Sequence, residues 1–117
     1  MQITEVTYSD AVPIDGYGPG FFRINGEVIK GAAIITATGA RSWAGYEDVS
    51  AVLALQDEVD FVLMGTGENM TPVDAQFRTA LEEAGIGVEP MASPSACRTY
   101  NVLVSEGRRV AAVVLPV

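Results

Sequence analysis

Asp60-Phe61-Val62-Leu63-Met64-Gly65-Thr66-Gly67 decides how this chain is read. Four apolar residues in succession, closed by a Gly-containing turn, are what a strand covered on both faces requires. Downstream, Thr71-Pro72-Val73-Asp74 reads as a helix start, with Thr71 as N-cap, Pro72 in the first helical position and Asp74 near the positive end of the helix dipole. Val73, Phe77, Ala80, Leu81 and Ala84 then fall on one stripe, and Gly85 stops the helix. A short strand over 86–91 follows, and Ser93-Pro94 repeats the start signal. Ala96, Cys97, Tyr100, Leu103 and Val104 form the apolar stripe of that second helix, and Gly107 marks its end. The last strand, 109–115, is apolar almost throughout, as a central strand would be. Strand, helix, strand, helix and strand in this order specify a parallel βαβαβ unit.

The first half of the chain reads as β-rich. Ile3, Val6 and Tyr8 suit a short strand, and Pro13, Gly16, Gly18 and Pro19 make the following stretch a loop. Asn25-Gly26 lies between two runs of strand formers, Phe21-Phe22-Arg23-Ile24 and Glu27-Val28-Ile29, and predicts a type I′ hairpin because both turn positions accept positive φ. The second strand is expected to continue through Ala32, Ala33, Ile34 and Ile35, with a bulge or bend at Gly31. Asp48 is a candidate cap for a helix bearing Val49, Val52 and Leu53 and ending before Asp60. The expected fold is α/β, a single domain over residues 1–117, with a mixed sheet, a C-terminal parallel βαβαβ unit and an N-terminal antiparallel hairpin layer, stacked as β/β/α.

Composition narrows the chemistry. Of 117 residues, 15 are acidic and 7 basic, for a net charge of −8, which opposes binding to nucleic acid, where phosphate neutralisation supplies most of the affinity. Arg98, Arg108 and Arg109 read as surface arginines of an acidic protein rather than as a nucleic-acid patch. The chain has no His, which removes the usual general base at neutral pH, the imidazole metal ligand and every Ser-His or Cys-His nucleophile. Cys97 is the one cysteine, so no disulfide or thiolate zinc site forms within one chain. No metal, no cofactor and no catalytic residue is assigned. The opening Met1-Gln2-Ile3-Thr4-Glu5-Val6 lacks a basic region followed by an apolar run, and Asp and Glu interrupt the apolar segments before they reach a membrane span. A cytoplasmic protein with no membrane insertion is expected.

Two groups of residues stand out. Gly65, Thr66 and Gly67 follow a strand and precede a helix, where open α/β sheets bind ligands, and are the candidate cradle for a small anion. Glu68 beside them opposes an anion, and a strand-ending turn explains the same residues. Arg98 and Val102 fall opposite the apolar stripe of the last helix and, with Trp43, are the candidate partner-binding residues; for Trp43 core packing is the competing reading. Cys97, on the edge of the stripe, reads as a buried and inert thiol despite the neighbouring Arg98. Asn101, at the boundary between faces, reads as a brace for a neighbouring loop.

Val62-Leu63-Met64-Gly65-Thr66-Gly67, together with Ser95-Ala96-Cys97-Arg98-Thr99-Tyr100-Asn101-Val102-Leu103 and Glu106-Gly107-Arg108-Arg109-Val110, resembles a family of small single domains of unknown function. That family includes a mitochondrial respiratory complex I assembly factor and an adipogenesis-associated protein. The resemblance extends through Gly18-Pro19-Gly20, Gly31 and Trp43, and implies a mixed-sheet α/β domain with a second β layer and no established catalytic residue. It favours a non-enzymatic protein-binding or assembly-factor-like domain, linked to respiratory complex assembly. The alternative is a small anion- or metabolite-binding domain or enzyme that uses the Gly65-Thr66-Gly67 loop, with Arg98 or Arg41 brought near it and Glu68 as acid or base.

Overall fold

The computed structural model describes residues 5–7 and 11–117. It holds nine strands and three helices among these residues: β1 (Glu5–Thr7), β2 (Ile14–Gly18), β3 (Phe21–Ile24), β4 (Glu27–Lys30), β5 (Ala33–Thr36), β6 (Gly39–Ser42), α1 (Val49–Leu53), β7 (Phe61–Gly65), α2 (Ala75–Glu83), β8 (Gly87–Met91), α3 (Ser93–Ser105) and β9 (Val110–Val114). Val6 lies in β1, whereas Ile3 and Tyr8 of the expected opening strand lie outside the described residues.

Six strands form a mixed sheet in the order β1-β6-β5-β9-β7-β8, and β2-β3-β4 form a second sheet. β7 pairs in parallel with both β8 and β9, which realises the βαβαβ unit. β9 pairs antiparallel with β5 and so joins the two halves of the chain. Because β8 and β9 flank β7 on opposite sides, crossovers of one hand place α2 and α3 on opposite faces of the sheet. The core divides accordingly. Ala33, Ile35, Leu63, Val110, Ala112 and Val114 pack with Phe22, Ile24 and Ile29 of the small sheet and with Ala96 and Tyr100 of α3. Ile34, Val62, Met64, Ala111 and Val113 pack on the other face with Val52, Phe77 and Leu81. Alternation along β5 and β9 feeds both cores, so these strands carry apolar residues at nearly every position.

The Asn25-Gly26 turn forms as the sequence predicts, with φ of 51° and 79°. Asp15 braces it by accepting the Gly26 N–H at 2.8 Å. Phe77 and Leu81 are buried on the inner face of α2, and the Ala96, Cys97 and Tyr100 stripe of α3 faces the core.

Four local expectations are corrected. The stretch after Pro13 is not all loop, because β2 pairs with β3 across a register shift between Ile14 and Gly16. The signal was masked by glycines, and Asn101 supplies what the sequence hides: its Oδ1 accepts the Ile14 N–H at 2.7 Å and its Nδ2 donates to the Ile14 carbonyl at 3.0 Å. At Gly31, φ of 80° turns the chain out of the small sheet, so Ala33–Thr36 form β5 of the large sheet rather than a continuation of β4. β6 pairs antiparallel with β5 and completes a second hairpin. Thr71 does not cap α2. Its N–H is held by Thr66 Oγ1 at 2.9 Å, which keeps residues 71–74 in the loop, and Asp74 caps instead by accepting the Phe77 N–H at 3.0 Å. Ser93 likewise stands inside α3, with Ala92 as N-cap and Pro94 in the first turn.

Phe77 is 2% exposed and its ring packs against Trp43 and Tyr46 at centroid distances of 5.6 and 5.1 Å. Phe77→Ala is expected to lower unfolding stability by about 3–5 kcal/mol, the range for a fully buried phenylalanine, as measured by denaturant titration. A loss below about 1 kcal/mol would contradict this packing.

Candidate functional site

The loop after β7 is built from backbone hydrogen bonds. Gly65 sits where its strand, β9 and α3 converge: a Cβ there would stand 2.7 Å from Ser93 Oγ and 2.7 Å from Val114 Cγ1. Glycine is needed because the neighbours occupy the space of a side chain. The Gly65 carbonyl accepts the Leu115 N–H at 2.8 Å, and the Thr66 N–H donates to the Met91 carbonyl at 2.9 Å. The Gly67 N–H donates to Ser93 Oγ at 3.0 Å, whose hydroxyl in turn donates to the Leu115 carbonyl at 2.6 Å. The Ser93 N–H closes the ring by donating to the Gly67 carbonyl at 2.8 Å. Thr66 Oγ1 donates to the Asn69 carbonyl at 2.8 Å.

This arrangement bears on the cradle. Gly65, Thr66 and Gly67 are all buried, and the N–H groups of Thr66 and Gly67, those an anion would use, already have partners within the fold. Glu68 is exposed beside them. Arg41 is not brought to the loop; it lines a cavity of about 340 Å³ between the β5–β6 hairpin and α1, with Ile34, Leu55 and Glu58. The loop therefore works as a junction that locks the start of α3 to the ends of β7 and β9. Ser93 is the residue sequence reasoning missed in this role, since a Ser before Pro reads as a cap; the close Gly65 approach was its only trace.

The partner-binding candidates separate. Arg98 and Val102 stand on the outward face of α3, Val102 at 56% exposure and Arg98 exposed with one hydrogen bond, to Ser95 Oγ at 3.3 Å. Trp43 does not join them. It is 5% exposed on the opposite face of the large sheet, donates from Nε1 to the Asp48 carbonyl at 2.9 Å, and meets Tyr46 edge-on at 6.1 Å. Its indole satisfies its polar atom internally and acts as core. Arg108 and Arg109 lie at the far end of α3: Arg108 rests over the Phe61 ring at 5.7 Å, and Arg109 reaches Asp60 at 3.7 Å and the Asp57 carbonyl at 2.8 Å.

Cys97 is buried beneath α3. Burial pushes its thiol up to about 11, against a smaller opposing pull from Arg98, so the thiolate needed for nucleophilic work is suppressed at neutral pH. Burial also raises the Tyr46 phenol, with the Asp74 carboxylate adding to the effect.

Comparison with known proteins places the chain in a family. It belongs to the family described as "Protein of unknown function (DUF498/DUF598)", which matches residues 14–115. An uncharacterised protein of Rhodobacter capsulatus is 47% identical over 99% of this chain and 94% of its own length. Human NADH dehydrogenase (ubiquinone) 1 alpha subcomplex assembly factor 3 is 30% identical over 92% of this chain, and the match spans 62% of the human protein. Among solved structures, one described as an outer membrane protein from Bartonella henselae superposes with a TM-score of 0.81 at 33% identity, covering 92% of this chain and 97% of that one. The family and the mixed-sheet fold are those to which the sequence motifs pointed. Among the described residues, no helix is long and apolar enough to cross a membrane.

Two expectations follow. Ser93→Ala removes the partner of both the Gly67 N–H and the Leu115 carbonyl, and should destabilise the fold by about 1–3 kcal/mol, whereas Ser95→Ala, on the α3 surface, should change stability by less than about 0.5 kcal/mol; paired denaturant titrations check the contrast. For Cys97 the folded protein holds its proton above the ordinary value of 9.0, up to about 11. Its contribution to stability is therefore fully present below about 9 and is lost as pH rises toward 11. Melts of wild type and Cys97→Ala across pH 8–11 should converge as pH rises, and a constant difference would contradict the assignment.

Proposed function

We propose that this domain is a non-enzymatic protein-binding module, assembly-factor-like in its role, that docks a partner on the outward face of α3. The observation that carries the reading is Val102, a large apolar side chain 56% exposed beside the exposed Arg98. A β-branched apolar residue and a forked cation side by side on a helix are the composition of a docking face, where Arg is enriched and apolar area is removed from water. The complex I assembly factors among the relatives support extending the role to assembly of a respiratory complex. The lack of histidine and the suppressed Cys97 thiolate weigh against an acid–base or thiol enzyme.

The competing reading, an anion site at Gly65-Thr66-Gly67, gains no support from donors already used inside the fold. The test pairs Arg98→Glu and Val102→Asp with a pull-down from the native cell and a thermal melt. Both variants are expected to melt like wild type, because neither side chain packs in the core, and to lose partner recovery by tenfold or more. Full recovery at an unchanged melting temperature would remove this face from the interface.

A further inference from the structure

The layer that covers one face of the large sheet differs in charge from the rest of the molecule. Residues 14–31, which hold the small sheet, and residues 93–105, which hold α3, contain three cations, Arg23, Lys30 and Arg98, and two acids, Asp15 and Glu27. That is a net +1 in a chain of net −8, which leaves −9 on everything else.

Strand pairing sorts these groups further. Residues directly opposite one another project to the same side of a sheet. Phe22, Ile24 and Ile29 point into the core, so Phe21 and Arg23 on β3 and Val28 and Lys30 on β4 point outward, in the pairs Phe21 with Lys30 and Arg23 with Val28. Glu27 pairs with Ile24 and leaves from the inner side at the strand end, while the Asp15 carboxylate is engaged by the Gly26 N–H. The outward face is thus a checkerboard of cations and apolar groups. Val28 is 41% exposed, and Phe21 lies over Gly18, where a Cβ would collide with its ring, with the Arg23 guanidinium 6.0 Å from the ring centre.

This face runs on into α3. Asn101 clamps Ile14, and β2 then climbs toward Gly20, whose N–H donates to the Val117 carbonyl at the end of the large sheet where α3 begins. Tyr17, 40% exposed, pairs with the buried Phe22 and so projects from the inner side of this edge strand, not from the outer face. Of the four large apolar residues exposed among the described residues, Tyr17, Val28 and Val102 belong to this layer, and only Met70 lies elsewhere.

We infer that the outer face of the β2-β3-β4 sheet, continuous with the outward face of α3, docks an acidic amphipathic segment of a partner protein. Charge complementarity selects this occupant: among the described residues no ion pair engages Arg23, Lys30 or Arg98, and apolar side chains between them call for apolar residues set among Asp and Glu. An anionic membrane is the poorer fit, since recognition of acidic lipid uses clusters of about 4–8 Lys and Arg. The inference rests on the proposed partner-binding role but extends it to a surface that can be tested apart from α3.

The test places the photo-crosslinker p-benzoylphenylalanine at Val28 and, separately, at Val102 in the full chain expressed in its native host, and sequences the crosslinked peptides. The expected result is one partner captured from both positions through a segment rich in Asp and Glu with interspersed apolar residues. That segment, made as a peptide, should bind the wild-type protein with an affinity that falls as salt rises. Its binding should weaken at least tenfold to R23E/K30E, whose two altered side chains are exposed, and to R23Q/K30Q if the charge reversal perturbs the melt. Capture at Val102 alone would overturn this inference and leave the α3 reading standing. Capture at Val28 alone, through such a segment, would keep the inference and remove α3 from the proposed function. Crosslinking to lipid, to a second copy of this chain or to a basic segment, or none at Val28, would overturn the inference.

Discussion

The structure depends on the burial of β9 on both faces. Val110 through Val114 are 2% exposed or less, and they stand between β5, antiparallel to them, and β7, parallel to them. The β-rich half of the chain and the βαβαβ half thus share one strand, the last in chain order among the described residues. Alternate side chains of this one strand contribute to each core: Val110, Ala112 and Val114 beneath the small sheet and α3, Ala111 and Val113 beneath α1 and α2. Removing this strand from water and pairing both its edges couples two apolar clusters that would otherwise be separate.

The junction after β7 follows from the same constraint. β9 can lie against β7 to its end only if the chain leaving β7 turns without a side chain, and Gly65 meets that need by leaving room for Ser93 Oγ and Val114. The hydroxyl of Ser93 then bridges the Gly67 N–H and the Leu115 carbonyl, so the first turn of α3 is tied to two strand ends at once. A feature placed where α/β folds hold ligands is here consumed in fixing a helix. The orientation of α3 that results sets which of its residues meet solvent.

The small sheet and α3 together form one layer over the same face of the large sheet. Asn101 is the hinge of that layer, because its amide pairs with both backbone groups of Ile14 as a neighbouring strand would and so joins a helix to a sheet edge. Arg98 and Val102 come from the helix, and Arg23, Val28 and Lys30 from the hairpin. These segments are about 70 residues apart in sequence, and their juxtaposition depends on the crossover that carries α3 over β7.

The sequence by itself determined the elements whose signals are local. Alternating and continuous apolar runs marked β7, β8 and β9, helical spacing marked the inner faces of α2 and α3, and Asn25-Gly26 marked the hairpin, because each signal acts within a few residues of itself. The family motifs, quoted from the same segments, were legible for the same reason. Tertiary structure alone decided the rest. Thr71 and Ser93 carry the composition of helix caps, yet the Thr71 N–H is held by Thr66 Oγ1 in the same loop and the Ser93 hydroxyl by Gly67 and Leu115, and the N-cap positions are Asp74 and Ala92. Ile14–Gly18, weak in strand signal, became β2 through pairing with β3 and the Asn101 clamp. Trp43, read as a surface anchor or core, went to the core beside Phe77. For Ser93, Ile14 and Trp43 the deciding partner lies far along the chain, and hydrogen bonding or burial against it outweighs a propensity that spans about 1 kcal/mol; Thr71 is held locally, by Thr66.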